Sequence, residues 1–280
     1  MNKDNNQIMA LINAYKMDGL GNDFVIIDRR KNSINLTKEK IIKLGNRTNI
    51  GFDQIIFIEK ESGNSFPITI FNSDGGEVSA CGNGSRCVAY LLGKNLNTKQ
   101  VRLKTNNRLL NAKIVGDLKV ELEIGKPLLS YKDIPLSREI NPADVTVEVN
   151  NKKFTGGFCV NVGNPHIIFF VNNIDNFDIK KIGPNIENHK IFPERCNVTI
   201  AQVVDENLIK VKVWERGAGL TKACGTAACA TAFAGKLNNL TNNKTDIEFE
   251  KGKLTISIDE KNSIHMRGPV SDIKEIEIKL

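Results

Sequence analysis

The 280-residue sequence has no C-x-x-C motif, no dense basic tract, and no apolar run that reaches the roughly 18–20 residues needed to cross a bilayer. The first absence argues against a zinc ribbon or a dithiol redox centre. The Cys81/Cys87 and Cys224/Cys229 pairs also lack histidines at ligand spacing, so no metal is expected. The second absence argues against a nucleic-acid surface: 39 Lys and Arg stand against 32 Asp and Glu, and the excess of +7 is scattered through an Asn/Ile/Lys-rich chain. An anionic small substrate suits that charge equally well. Nucleotide loops are missing too, since "GLGNDF" lacks the third glycine of a dinucleotide turn and no Walker lysine follows "GNGSR". At the N-terminus, the apolar stretch from Ile8 to Tyr15 is short, broken by Asn13 and without a small-residue cleavage pattern. The expectation is a soluble, cytoplasmic protein with no membrane partner. In that reducing compartment six cysteines do not imply disulfides.

The length exceeds a common single domain and the 40% hydrophobic content suffices for real cores. Sliding the chain against itself by 142 or 143 residues shows how it is divided. "GNDFVII" (21–27) falls on "GNPHIIF" (163–169), pairing Asn22 with Asn164. "FDQIIFIE" (52–59) falls on "RCNVTIAQ" (195–202), pairing Gln54 with Asn197. "ITIFNSDGGEVSACG" (68–82) falls on "VKVWERGAGLTKACG" (211–225), pairing Asn72 with Glu215 and Cys81 with Cys224. "LEIGKP" (122–127) falls on "IHMRGP" (264–269). Blocks in one order at one offset indicate two homologous halves.

Each half opens with an alternating apolar strand, Phe24–Ile27 or Ile167–Val171. A helix then follows near "TKEKIIKLGNRT", with Ile41, Ile42 and Leu44 as its apolar face; its counterpart "FDIKKIGPNIENH" should be interrupted at Pro184. A strand leads into the glycine-rich loop, a buried helix follows around Val88–Leu92 or Ala227–Ala234, and alternating strands such as "KVELEIG" and "KLTISI" close the half. The expected fold is α+β: two pseudosymmetric domains, residues 1–127 with 268–280 and residues 128–267, each a β-barrel-like curved sheet around a central helix. The last stretch, with Ile276, Ile278 and Leu280 alternating, has no repeat partner and is expected to cross back to the first domain's sheet.

Cys81 and Cys224 stand where each glycine-rich loop enters its helix, a place where free N–H groups and the dipole favour anions. Such a position is expected to lower a thiol pKa. Gly82 and Gly225 are expected to let a ligand approach the backbone. A pseudo-twofold axis would direct both helix starts at one interdomain cleft with a sulfur on either side. That arrangement suits inversion at a carbon centre, with one thiolate removing a proton and the opposite thiol returning another. The helix starts would stabilise the charge that develops on an adjoining carboxylate. Cys87, Cys159, Cys196 and Cys229, on expected helix or strand interiors, read as packing residues.

"KMDGLGNDFVIID", "FNSDGGEVSACGNGSRC", "GNPH", "FPERCNV" and "ERGAGLTKACGTAAC" resemble diaminopimelate epimerase, over nearly the whole chain from Tyr15 onward. The resemblance implies a pyridoxal-independent isomerase, needing no cofactor, that interconverts LL- and meso-diaminopimelate on the route to lysine and peptidoglycan, and it implies a homodimer. It also implies roles by position. Cys224 would be the proton acceptor and Cys81 the proton donor in the LL-to-meso direction. Asn22, Gln54, Asn72, Asn164 and Asn197 would contact substrate; Gly82, Asn83, Gly225 and Thr226 would grip the carboxylate at the reacting centre. Arg216 would clamp the distal carboxylate, and His166 with Glu215 would stand beside the thiols and the substrate ammonium. Out of context, a Glu-Arg pair reads as surface and His166 as structural; here Asn72-Ser73 becoming Glu215-Arg216 is the asymmetry a two-ended substrate requires. The chain departs from the family at Ala227, commonly glycine; the added methyl lies near the carboxylate pocket but removes no donor, so little change is expected. The leading ten residues lie outside the resemblance and read as a disordered extension or an early start codon. Proline racemases commonly carry histidine where Asn83 stands, and phenazine-type isomerases do not keep the cysteine pair, so both fit less well.

Overall fold

The computed structural model describes residues 11–31, 34–79, 81–106 and 108–279; the expectations for residues 1–10 and Leu280 lie outside them. The first half runs β1 (Leu11–Asp18), β2 (Asp23–Asp28), α1 (Lys38–Gly45), β3 (Gln54–Ile58), β4 (Phe66–Asn72), β5 (Glu77–Val78), α2 (Gly82–Leu96), β6 (Gln100–Lys104), β7 (Leu109–Gly116) and β8 (Lys119–Gly125). After β9 (Val145–Val149) the same order returns as β10 (Lys152–Asn161), β11 (Pro165–Phe170), α3 (Ile179–Glu187), β12 (Asn197–Asp205), β13 (Leu208–Glu215), β14 (Gly219–Leu220), α4 (Gly225–Leu237), β15 (Lys244–Phe249), β16 (Gly252–Ile258) and β17 (Ile264–Pro269). A final strand, β18 (Lys274–Lys279), closes the described chain.

Strand pairing repeats with the sequence. β2 runs parallel to β3 and β11 parallel to β12; β4 runs parallel to β6 and β13 parallel to β15. β18 does cross back, pairing antiparallel with β1 from Leu11↔Lys279 to Lys16↔Lys274. It also has a structural counterpart: β9 pairs antiparallel with β10 in the same place in the second half. The self-alignment missed this because β9 precedes its half in the chain and β18 follows both. The halves join where β8 and β17 pair antiparallel, with Leu122 opposite Met266, and the Arg267–Glu121 ion pair (2.8 Å) lies on the seam. The expected division at 127/128 falls between β8 and β9; the one at 267/268 falls inside β17.

The opening strands are buried on both faces rather than one. Phe24, Ile26, Ile56 and Ile58 face the core shared with α2, whereas Val25, Ile27, Ile55 and Phe57 face α1. A continuous apolar run is what a parallel strand covered by helices on both sides requires. Each such side chain contributes roughly 1.5–3 kcal/mol of burial. On α1, Ile41 and Leu44 are buried, but Ile42 is 45% exposed, because 100° per residue turns it off the face they share. α3 passes through Pro184 without a break, capped at its start by the Asp178 carboxylate and packed through Ile179 and Ile186. The central helices α2 and α4 are wrapped by strands and are buried nearly all round, and the Ala-rich α4 brings its sheet in closely. Cys87, Cys159, Cys196 and Cys229 are fully buried; Cys196 lies one residue before β12 instead of inside a strand. Among the described residues no helix is long and apolar enough to cross a membrane.

Candidate active site

Cys81 and Cys224 are the N-cap residues of α2 and α4, each with an extended backbone (φ −145° and −134°) ahead of a glycine at the first helical position. Cys81 Sγ accepts from the Gly84 N–H at 3.4 Å. Cys224 makes no such cap; its sulfur lies 3.4 Å from Thr226 Oγ1. Both cysteines line one cavity of about 570 Å³ between the halves.

Gly82 and Gly225 let the two helices meet. A Cβ on Gly82 would stand 3.8 Å from Gly225 Cα and 2.8 Å from Met266 Cε; one on Gly225 would stand 3.7 Å from Gly82 Cα and 2.9 Å from Met266 Sδ. The space a side chain would take is thus filled by Met266, with the other helix at van der Waals distance. Ala227 is fully buried and does not line the cavity.

The thiols are not acidified here. Burial, with the Glu215 carboxylate, pushes Cys81 up to about 11 against the Gly84 N–H and the Arg86 charge. Burial and Glu215 likewise hold Cys224 well above the ordinary thiol value. Desolvation outweighs the helix N-terminus, which reverses the expected direction. Glu215 is itself raised by burial, opposed by the neighbouring Thr221 and Cys224 side chains.

Asn22, Gln54, Asn72, Gly82, Asn83, Asn164, Glu215, Gly225 and Thr226 all line the cavity with the two cysteines. The Gln54 amide donates to Asn72 Oδ1 at 3.0 Å across the β3–β4 pair. Two buried acceptors in this wall, Asn22 Oδ1 and Gln54 Oε1, have no partner. Buried polar atoms are almost always paired, so these two stand out in the cavity wall, as does Thr221 Oγ1.

His166, Asn197 and Arg216 do not line the cavity. The Asn197 amide donates to Pro165 O (2.8 Å) and accepts from the Arg216 N–H (2.9 Å), so both its ends are occupied by backbone. Arg216 donates to Glu194 O at 3.0 Å. The fully buried His166 ring lies 2.9 Å from Asn164 Oδ1; burial, helped by the Arg216 charge, pulls its pKa to about 3. The ring is neutral and orients Asn164 from behind the wall.

Sequence reasoning missed Glu187, the Arg108–Lys251 pair and Met266. Glu187, at the end of α3 and 4% exposed, accepts from Trp214 Nε1 (2.7 Å), the Gly217 N–H (2.9 Å) and Arg195 Nη1 (3.4 Å). It anchors the turn that carries Glu215 and Arg216. Arg108 lines the cavity and reaches across to Val162 O (2.8 Å) over Gly163, a glycine at φ +116° that leaves room for the guanidinium. Lys251 lays its stem over Gly21 in the same manner from the other half. Arg108 and Lys251 stand 143 positions apart, so extending the self-alignment through unlike residues would have paired them. Met266, the third, stands 142 positions after Ile124, and both line the cavity.

A cavity with a thiol on each helix start, paired N-termini and unpaired amide oxygens can hold a zwitterion and pass a proton across it. The sequence model of the family described as diaminopimelate epimerase matches residues 14–129 and again 158–273, one match per half. A diaminopimelate epimerase of Pelagibacter ubique is 59% identical over 272 residues, covering 96% of this chain and 99% of its own. One from Zymomonas mobilis is 40% identical, covering 92% and 93% respectively. Among solved structures, a phenazine biosynthesis protein of the PhzF family from Bacillus anthracis shares the fold at 17% identity and a TM-score of 0.66, covering 97% of this chain and all of its own. With the family's model matched in both halves, the chain belongs to the diaminopimelate epimerase family.

Proposed function

We propose that this protein interconverts LL- and meso-diaminopimelate in lysine and peptidoglycan precursor biosynthesis, with Cys224 and Cys81 as acceptor and donor in the LL-to-meso direction. The observation that carries this reading is that both cysteines are the N-cap residues of helices whose first turns meet, and both line one cavity. The Cys224 thiolate takes the α-proton as the C–H bond breaks, and the electron pair moves into the adjoining carboxylate. The N–H groups at Gly82, Asn83, Gly225 and Thr226 receive that charge. The Cys81 thiol then delivers its proton to the opposite face and is left as thiolate. Reversal exchanges the roles, so the reaction needs only the two sulfurs.

Asn22 and Gln54 line the cavity wall that receives the substrate ammonium. Asn72 and Asn164 complete that wall, and Glu215 balances the ammonium charge. Asn197 and His166 act from behind it, on Arg216 and Asn164. Arg216 clamps the distal carboxylate by exchanging Glu194 O for a bidentate partner. The halves, divided as 1–127 with 268–280 and 128–267, enclose the amino acid between them. A cytoplasmic homodimer is the form this reading assigns to the enzyme, on family membership. The test is solvent-deuterium incorporation at the α-carbon of LL-diaminopimelate, with proline as control. Label in diaminopimelate alone is expected; label in proline alone would overturn the assignment.

A further inference from the structure

Arg86 is the largest side chain buried without exposure in the protein, and none of the ion pairs among the described residues includes it. It lies one turn into α2, beneath the N-cap Cys81. One guanidinium N–H donates to Asn83 Oδ1 at 2.9 Å, another meets Met266 Sδ at 3.7 Å, and Nε has no partner. Gly268 on β17 packs against the same group, since a Cβ there would stand 2.8 Å from Arg86 Nε. Buried cations are ordinarily paired with carboxylates, because an uncompensated charge in the interior is strongly destabilising. No carboxylate among the described residues pairs with this one; the titratable groups whose electrostatics support its charge against burial are Cys87 and Cys81 on its own helix and Cys229 on α4. Its two ligands, Asn83 and Met266, both line the active cavity, so the guanidinium lies one side chain behind the cavity wall.

The pseudosymmetry makes the placement informative. The position equivalent to Arg86 on α4, 143 residues on, is Cys229, so only one of the two matched helices carries a cation. The groups whose charge or N–H dipoles act on Cys81 are the Gly84 N–H, Glu215, Arg86 and the Asn83 N–H. Those acting on Cys224 are Glu215, Thr226 and the Ala227 N–H, with no cation among them.

We propose that Arg86 is a positioning residue that acts through Cys81: its core-held guanidinium is the fixed counter-charge for the Cys81 thiolate, biases the free enzyme toward thiolate at Cys81 and thiol at Cys224, and holds the Asn83 side chain. The assignment rests on the two-thiol reading of the site and extends it to the resting state. A free enzyme so poised takes its proton from the meso isomer without a prior exchange between sulfurs.

The test is alkylation of the whole protein by iodoacetamide across a pH series, with each cysteine quantified by peptide mass spectrometry. The midpoint of each rate profile reports thiolate formation independently of access. In the wild type the Cys81 midpoint is expected below that of Cys224. In Arg86→Gln it rises by about one pH unit while that of Cys224 stays, and Arg86→Lys restores it. An unchanged Cys81 midpoint in Arg86→Gln, or an equal shift in both thiols, overturns the proposal. If Arg86→Gln does not fold by circular dichroism, the wild-type order decides: a Cys224 midpoint at or below that of Cys81 overturns it. Alkylation needs no turnover, so failed α-proton exchange with the midpoints in the expected order would sink the two-thiol reading and leave the Arg86 assignment standing.

Discussion

Gly82 and Gly225 face each other across the pseudo-twofold axis, so that a Cβ on either would stand 3.7–3.8 Å from the other's Cα. Their spacing sets how closely the two thiol-bearing helix starts approach. Gly225→Ala would drive a methyl to 2.9 Å from Met266 Sδ and to 3.7 Å from Gly82 Cα. Overpacking of this kind costs about 1–3 kcal/mol, partly relieved here because Met266 is flexible. The expected outcome is a modest fall in melting temperature with a loss of kcat of about a hundredfold, because an error of about 1 Å at the reacting atoms costs that much. Parallel melting curves and kinetics on the purified variant check both.

Glu187 holds Trp214, Gly217 and Arg195 at once from a site almost closed to water. Replacing it by Ala leaves those donors without their shared acceptor, at about 1–3 kcal/mol for each buried one. Glu187→Ala should lower stability and raise KM more than it lowers kcat, since the Glu215–Arg216 turn loses its anchor. Glu187→Gln, which keeps one oxygen, should fall between wild type and Ala in both measurements.

His166 is buried in its neutral form with its pKa pulled from 6.5 to about 3. The unfolded chain therefore binds a proton that the folded chain refuses between those values. Stability contributed by this group is present above pH 6.5 and is lost as pH falls toward 3, by an order of a few kcal/mol. Denaturant midpoints should decline on acidification from pH 6.5, and the decline should be shallower in His166→Asn. An identical slope in that variant would show that other groups drive the acid transition.

Cys81 and Cys224 are both free and share one cavity. Mild oxidation should join them and abolish turnover, and reductant should restore it. Intact and reduced peptide masses identify the bridge; full activity with the bridge verified would contradict the shared-site arrangement.

The pattern of the site was written locally and the balance of forces in it was not. The N-caps at Cys81 and Cys224 were legible because glycine, cysteine and the apolar helix that follows are neighbours in the chain. The repeat made the correspondence of β2 with β11 and of β3 with β12 legible through Asn22/Asn164 and Gln54/Asn197. The equivalence of β18 with β9 was not legible, since periodicity says which residues alternate and nothing about which distant strand they meet. The raised thiols were misread for a related reason: a helix N-terminus is visible in sequence, but the desolvation that outweighs it arises only when α2, α4 and β17 pack together. Glu187 looks like any helix-end acid until Trp214 and Gly217 arrive from β13 and the turn after it.

Separate replacement of Cys81 and Cys224 by alanine tests the central claim most directly, with LL-to-meso conversion followed by chiral separation. Each variant is expected to remain folded and to lose at least about a thousandfold in kcat, the scale of one lost acid or base. Near-wild-type conversion by either variant, with its fold intact, would contradict proton transfer from opposite faces by two thiols.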